Sequence, residues 1–135
     1  MDKEALLNLL DSLELPKTEY YILSAGALIF YGLRESTNDL DLCVSKELFN
    51  TLKEKYKFKE CEKTKYGTYH ISKNIEILPT SKENFNMIYK DGYPIQTLET
   101  ILEFKEKRNE HKDQKDIENI KKILLWHNNT LVFNN

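Results

Sequence analysis

The run Asp39-Leu40-Asp41-Leu42-Cys43-Val44 alternates acidic and aliphatic residues up to its last two positions. In an extended strand successive side chains point to opposite faces, so Leu40, Leu42 and Val44 share one face and Asp39 and Asp41 the other. Carboxylates two positions apart are separated by about 6.5 to 7 Å along the backbone, and their side chains can converge on one hard cation. Magnesium suits such a pair, because it takes oxygen ligands, keeps waters and completes its shell with substrate phosphates. An acid-x-acid pair also describes a solvated or salt-bridged strand end, so its meaning depends on what flanks it.

Upstream, β-prone Tyr20 to Leu23 leads into the small residues Ser24, Ala25, Gly26 and Ala27, then apolar Leu28 to Tyr31, then Gly32. The pattern predicts a strand, a tight turn and a short buried helix ended by glycine. Side chains this small let backbone amides approach a phosphate, and the N-terminus of the following helix favours an anion. Downstream, Asn74 to Leu78 predicts a short strand closed by Pro79, with Ile75 and Ile77 on one face and Glu76 on the other. A phosphate-binding turn, a pair of acids and a third acid are the parts that phosphoryl or nucleotidyl transfer requires. Acids on neighbouring strands also serve metal-dependent nucleases, but the small-residue turn ahead of the aspartates argues for transfer.

The remaining elements must position these groups. Leu6, Leu9, Leu10 and Leu13 recur at helical spacing before Pro16. Ser45 can cap a helix carrying Leu48, Phe49, Leu52 and Tyr56 on one side. Strands are expected near Phe58 to Glu62 and Tyr66 to Ser72. Residues 81 to 94 read as irregular, with a short edge strand around Tyr93 to Gln96. Thr97 can cap a helix bearing Leu98, Ile101, Leu102 and Lys105 that runs to about Arg108. A second helix from about Asp113 places Ile117, Ile120, Leu124 and His127 along one side. The expected fold class is α+β: a small mixed sheet flanked by helices, with a C-terminal helical hairpin packed against it.

With 135 residues, 40% hydrophobic and 31% charged, the chain suits one domain spanning 1–135 and one principal site. A net charge of -2 with acids and bases interspersed gives no support to a nucleic-acid partner. Cys43 and Cys61 lack the paired spacing of a zinc set and the density of a disulfide scaffold, and read as reduced thiols of a cytoplasmic protein. The sequence opens on charged Asp2, Lys3 and Glu4, and no apolar run approaches the roughly 20 residues needed to span a bilayer, so neither secretion nor membrane insertion is expected.

At this point the segment SAGALIFYGLRESTNDLDLCV resembles the core motif of the DNA polymerase β-type nucleotidyltransferase superfamily. The similarity is greatest to small bacterial members related to abortive-infection toxins and antibiotic nucleotidyltransferases. Gly32, Arg34, Thr37, Asp39 and Asp41 fit that motif in order and spacing. The segment LETILEFKEKRNEHKDQKDIENI is similar to the family's Lys-bearing helix leading into a Lys-Asp-x-x-Asp-Ile helix, through Lys105, Lys112, Asp113, Asp116 and Ile117. The resemblance implies a nucleotidyltransferase fold, a nucleoside triphosphate substrate and two magnesium ions held by Asp39 and Asp41. It also implies attack of an acceptor hydroxyl on the α-phosphate with pyrophosphate leaving, and Glu76 completing the metal site or accepting the hydroxyl proton. Ser24, Ala25 and Gly26 would contact phosphate, and Lys105 or Lys112 would neutralise its charge.

The sequence departs from the family at the turn, where Ser24 and Ala25 stand for the usual glycine pair. Glu110 replaces a basic residue, and Glu76 replaces the usual third Asp. These departures motivate an alternative: a catalytically degenerate member that serves as a binding module in a toxin-antitoxin or phage-defence system. A chain this short has no large acceptor-binding domain, so acceptor recognition implies a small acceptor, a homodimer or a protein partner.

Other candidate residues have blander readings. Arg34 either binds phosphate or pairs with Asp39 or a helix C-terminus. Thr37 reads as a turn residue. Cys43 shares the aspartate face but suits a buried, inert thiol, since magnesium avoids sulfur. His70, His111 and His127 have no spacing that joins them to the acids, and each reads as structural. Tyr66 and Tyr69 read as sheet packing.

Overall fold

In the computed structural model, which describes residues 1–133 and side chains through Trp126, six strands form one mixed sheet accompanied by five α-helices. The chain divides into two compact units, Met1–Gln96 and a second that begins at Thr97.

The first unit contains α1 (Lys3–Ser12), β1 (Tyr20–Ile22), α2 (Ser24–Phe30), β2 (Leu40–Ser45) and α3 (Lys46–Tyr56), followed by β3 (Tyr69–Ser72), β4 (Ile75–Thr80), β5 (Met87–Lys90) and β6 (Tyr93–Gln96). The strands lie in the order β3-β4-β2-β1-β6-β5. The β2–β4 and β1–β6 pairs are parallel, and the other three pairs are antiparallel.

Alternation along β2 does what its sequence demands. Leu40, Leu42 and Val44 are fully buried. Across the sheet Ile95 pairs with Ile22, Ile22 with Leu42, and Leu42 with Ile77, so one apolar row crosses four strands with no exposure at any position. Burying side chains of this kind contributes about 1.5–3 kcal/mol each. The helices of this unit seal that face. A Cβ on Gly26 of α2 would lie 2.8 Å from Ile22 Cγ2 and 3.7 Å from Leu6 Cδ2 of α1. Phe49 of α3 has its ring 5.0 Å from that of Tyr69, whose strand partner is Ile77. The opposite face is left to Tyr21, Asp41, Cys43 and Glu76.

Two helix starts follow the capping chemistry, whereas Thr97 sits at the N-cap of the helix Leu98–Arg108 without a side-chain cap hydrogen bond. Asp2 accepts from the Ala5 amide at 2.9 Å, and Ser45 Oγ accepts from the Leu48 amide at 3.0 Å. Gly32, just past α2, takes the left-handed backbone expected of a helix stop, at φ 75°.

Four local expectations are corrected. The helix after β1 starts at Ser24 itself, not after a turn ending at Ala27. Residues 58–62 form no strand; Glu60–Glu62 is a single 3-10 turn. β4 continues through Pro79, which pairs with Val44. The β3 ladder reaches β4 only between Ile75 and Ile77, so the proline's missing N–H faces no strand on that side. Met87–Lys90 is a further strand that takes the sheet edge, so β6, expected at the edge, is interior; the two are joined through Asp91 and Gly92, both at positive φ.

The second unit is the expected helical hairpin of α4 (Leu98–Arg108) and α5 (Gln114–Phe133). Asn109 closes α4 in the left-handed region at φ 48°. A 3-10 turn, His111–Asp113, leads into α5. Among the described residues no helix is long and apolar enough to cross a membrane.

Candidate functional site

The parallel register of β2 and β4 makes Asp41 and Glu76 direct partners. Two acids of unlike sequence position are thereby set side by side on the sheet face that the helices of this unit do not cover. Asp41 is half-buried, and its Oδ1 is a buried side-chain atom with no hydrogen-bond partner. Burial, reinforced by the neighbouring charges of Glu76 and Asp39, pushes its carboxyl up to about 6. An unpartnered, buried carboxylate oxygen costs several kcal/mol unless a proton or a cation meets it. That donor chemistry fits a divalent cation.

Asp39 is exposed just before β2. Its backbone is fixed by Thr37, whose Oγ1 donates to the Asp39 carbonyl at 3.1 Å and lies 3.4 Å from the Asp39 amide. Thr37 is in turn held by Met1: its amide donates to the Met1 carbonyl at 2.9 Å and its carbonyl accepts from the Met1 ammonium at 2.7 Å. Thr37 therefore serves as a turn residue that sets where the acid strand begins. Among the described residues no group of three or more His, Cys, Asp or Glu side chains could hold a metal ion by itself. A cation at Asp41 would draw the rest of its shell from water and substrate.

The turn stands beside these acids, since the Leu23 amide donates to the Asp41 carbonyl at 2.8 Å. Ser24 has a left-handed backbone, φ 50°, and its amide donates to Gln96 Oε1 at 2.9 Å. Gly26 is buried, and its missing Cβ is what lets α2 approach Ile22. Of the three small residues expected to face a phosphate, Ser24 already gives its amide to a side chain and Gly26 serves packing. Ala25 is half-buried in the first turn of α2.

Arg34 is exposed on the loop between α2 and β2. The two lysines lie in the second unit. Lys105 is buried, with Nζ 3.3 Å from Asp116 Oδ2 and 3.5 Å from Asp113 Oδ1. Lys112 is exposed and 3.4 Å from Glu110 Oε2. Asp113 is fully buried and also accepts from Arg108 Nε at 2.9 Å and the Glu110 amide at 3.2 Å. The Arg108 guanidinium holds the Asp113 carboxyl down at about 2, against the opposing effect of burial.

Cys43 is buried, and burial pushes its thiol up. Cys61 is exposed. Tyr69 is buried while Tyr66 is exposed. His111 is exposed in the 3-10 turn, and the His127 side chain lies outside the described residues.

His70 is the residue that sequence reasoning missed. Its Nε2 lies 3.1 Å from Glu76 Oε1, and it is the direct strand partner of Glu76 in the β3–β4 ladder. The ladder pairs Ser72 with Ile75 but His70 with Glu76, so Ile71 is an extra residue. Counting back from the turn without that bulge puts His70 opposite Ile77, on the helix-covered face. Only a hint of the bulge could have revealed the pairing.

Comparisons with protein-family models, with curated proteins and with solved structures each found no match. What the site can do is set by its own acids and the turn beside them.

Proposed function

We propose that this chain is a small metal-dependent nucleotidyltransferase of the DNA polymerase β type, moving a nucleoside monophosphate from a nucleoside triphosphate to a hydroxyl acceptor. The observation that carries the reading is Asp41, a half-buried carboxylate with an unpartnered oxygen, set directly against Glu76 and two residues from Asp39. The motif resemblance from Ser24 to Val44 supports the same reading. So does the mixed sheet, which puts the strand-to-helix turn on one side of β2 and the third acid on the other.

In this reading Asp39 and Asp41 hold magnesium, two ions by the resemblance. The metal supplies charge neutralisation on the phosphates and acidifies the attacking hydroxyl. Glu76 is placed to accept the hydroxyl proton or to add a ligand. Arg34 and the Ala25 amide in the first turn of α2 would contact phosphate, and Thr37 fixes the entry of the acid strand. The test is magnesium-dependent binding of labelled nucleoside triphosphate. Wild type should bind, and the Asp39→Ala, Asp41→Ala double variant should not; equal binding by both removes the proposed site.

A second reading, a nucleotidyltransferase-fold binding module without catalysis, is favoured by the turn. The Ser24 amide is committed to Gln96 and the Gly26 position to packing, which leaves a shallower phosphate cradle. A wild-type chain that binds no magnesium-nucleotide yet forms a stable complex with a defined protein partner supports this alternative.

A further inference from the structure

We propose that His70 is a positioning residue for Glu76, holding one oxygen of that carboxylate so that the other is aimed at Asp41 and whatever cation Asp41 binds. The inference rests on the metal-dependent reading above.

Three observations lead to it. Glu76 is the strand partner of both His70 and Asp41, so the three form one row across β3, β4 and β2. Within the row His70 Nε2 is 3.1 Å from Glu76 Oε1, a hydrogen-bonding distance for an N–H donor and a carboxylate acceptor. The row exists only because β3 carries the extra residue Ile71. A bulge interrupts a ladder locally and re-aims a side chain, here turning His70 from the helix-covered face to the acid face.

The arrangement answers a difficulty specific to glutamate. Glu76 has one more rotatable bond than an aspartate, and ordering that bond on a ligand costs conformational entropy. A donor on the neighbouring strand that fixes one oxygen removes much of that freedom before the ligand arrives. Hydrogen bonds to a ligating carboxylate commonly set its orientation, and removing them weakens metal affinity. The contact engages Oε1, so the second oxygen of Glu76 would be the one to meet a cation or an acceptor hydroxyl, whichever role that side chain takes.

The experiment is a manganese titration of the full chain, followed by electron paramagnetic resonance of free Mn2+, on wild type, His70→Ala and His70→Gln. Glutamine places an amide N–H close to where Nε2 sits. Thermal unfolding of each protein in chelator is recorded alongside. His70→Ala should weaken the Mn2+ dissociation constant about tenfold with an unchanged melting temperature, and His70→Gln should recover most of that loss. Wild-type affinity in His70→Ala overturns the proposal while leaving the metal site standing. Equal weakening in His70→Gln and His70→Ala also overturns it, because a restored donor would then have no effect. Absence of Mn2+ binding by wild type is a different result: it removes the nucleotidyltransferase reading, and this inference with it.

Discussion

Removing the Asp41 charge should stabilise the metal-free protein near neutral pH while abolishing its response to divalent cations. The folded carboxyl titrates near 6, against an ordinary value of 3.8. A gap of roughly two pH units corresponds to about 2–3 kcal/mol. Because the folded value lies above the unfolded one, the folded state binds this proton more tightly. The resulting stabilisation is complete below 3.8 and is lost as pH rises through 6, after which the ionised carboxylate is a net burden. Asn at this position does not titrate, and its amide can donate to Glu76. In chelator, the stability of Asp41→Asn relative to wild type should therefore climb across that window. It should level off about 2–3 kcal/mol higher, or roughly 5–10 °C in melting temperature. Adding magnesium or manganese should raise the wild-type melting temperature and leave the variant unmoved. Urea or thermal unfolding at a series of pH values, with and without chelator, measures both effects. A variant that parallels wild type across the window, or is less stable than it at neutral pH in chelator, refutes the charge-crowding argument.

Three further outcomes are expected. Asp113→Asn should cost about 3 kcal/mol in urea unfolding near neutral pH, since it leaves Lys105 and Arg108 facing a neutral partner at a buried site. The Asp113 carboxyl is depressed to about 2, so its contribution is present above 3.8 and is lost as acid brings the pH down toward 2; the gap between wild type and variant should close over that range. Gly26→Ala should destabilise by about 1–3 kcal/mol, because its methyl would meet Ile22 Cγ2 at 2.8 Å between packed elements. A thiol reagent should modify Cys61 in the native protein and reach Cys43 only on unfolding, which mass spectrometry of the labelled chain reads directly.

The acid strand was the most legible part of this sequence: alternation over residues 39 to 42 predicts a strand with Leu40 and Leu42 on the buried face, and the structure begins it at Leu40, with Asp39 just ahead of it. Glu76 could be assigned to a face but not to a neighbour, since pairing across residues 41 and 76 depends on a parallel register that local pattern does not encode. No sequence spacing joins His70 to the acids; it reaches Glu76 only through a bulge that changes the parity of its strand, and nothing in Tyr69-His-Ile-Ser72 announces one. The β5 strand carried a usable signal, Asp91-Gly92 between short apolar runs, but Asn, Asp and Gly among scattered aromatics also describe an irregular segment. At the turn, small residues suggested a cradle, whereas close packing under α2 already accounts for Gly26. A small residue fits both demands, and sequence alone cannot separate them. The buried state of Lys105 was hidden for a related reason: a lysine among charged residues looks solvated until its partners, Asp113 and Asp116, are placed by the hairpin.

In the proposed function Asp41 binds a divalent cation together with nucleotide phosphate. Crystals grown with manganese and a non-hydrolysable nucleoside triphosphate test it most directly. Anomalous density within about 2.2 Å of Asp41 Oδ1, bridged to the nucleotide phosphates, is the predicted result. Ordered nucleotide with no anomalous peak at Asp41, or manganese bound only elsewhere on the chain, contradicts it.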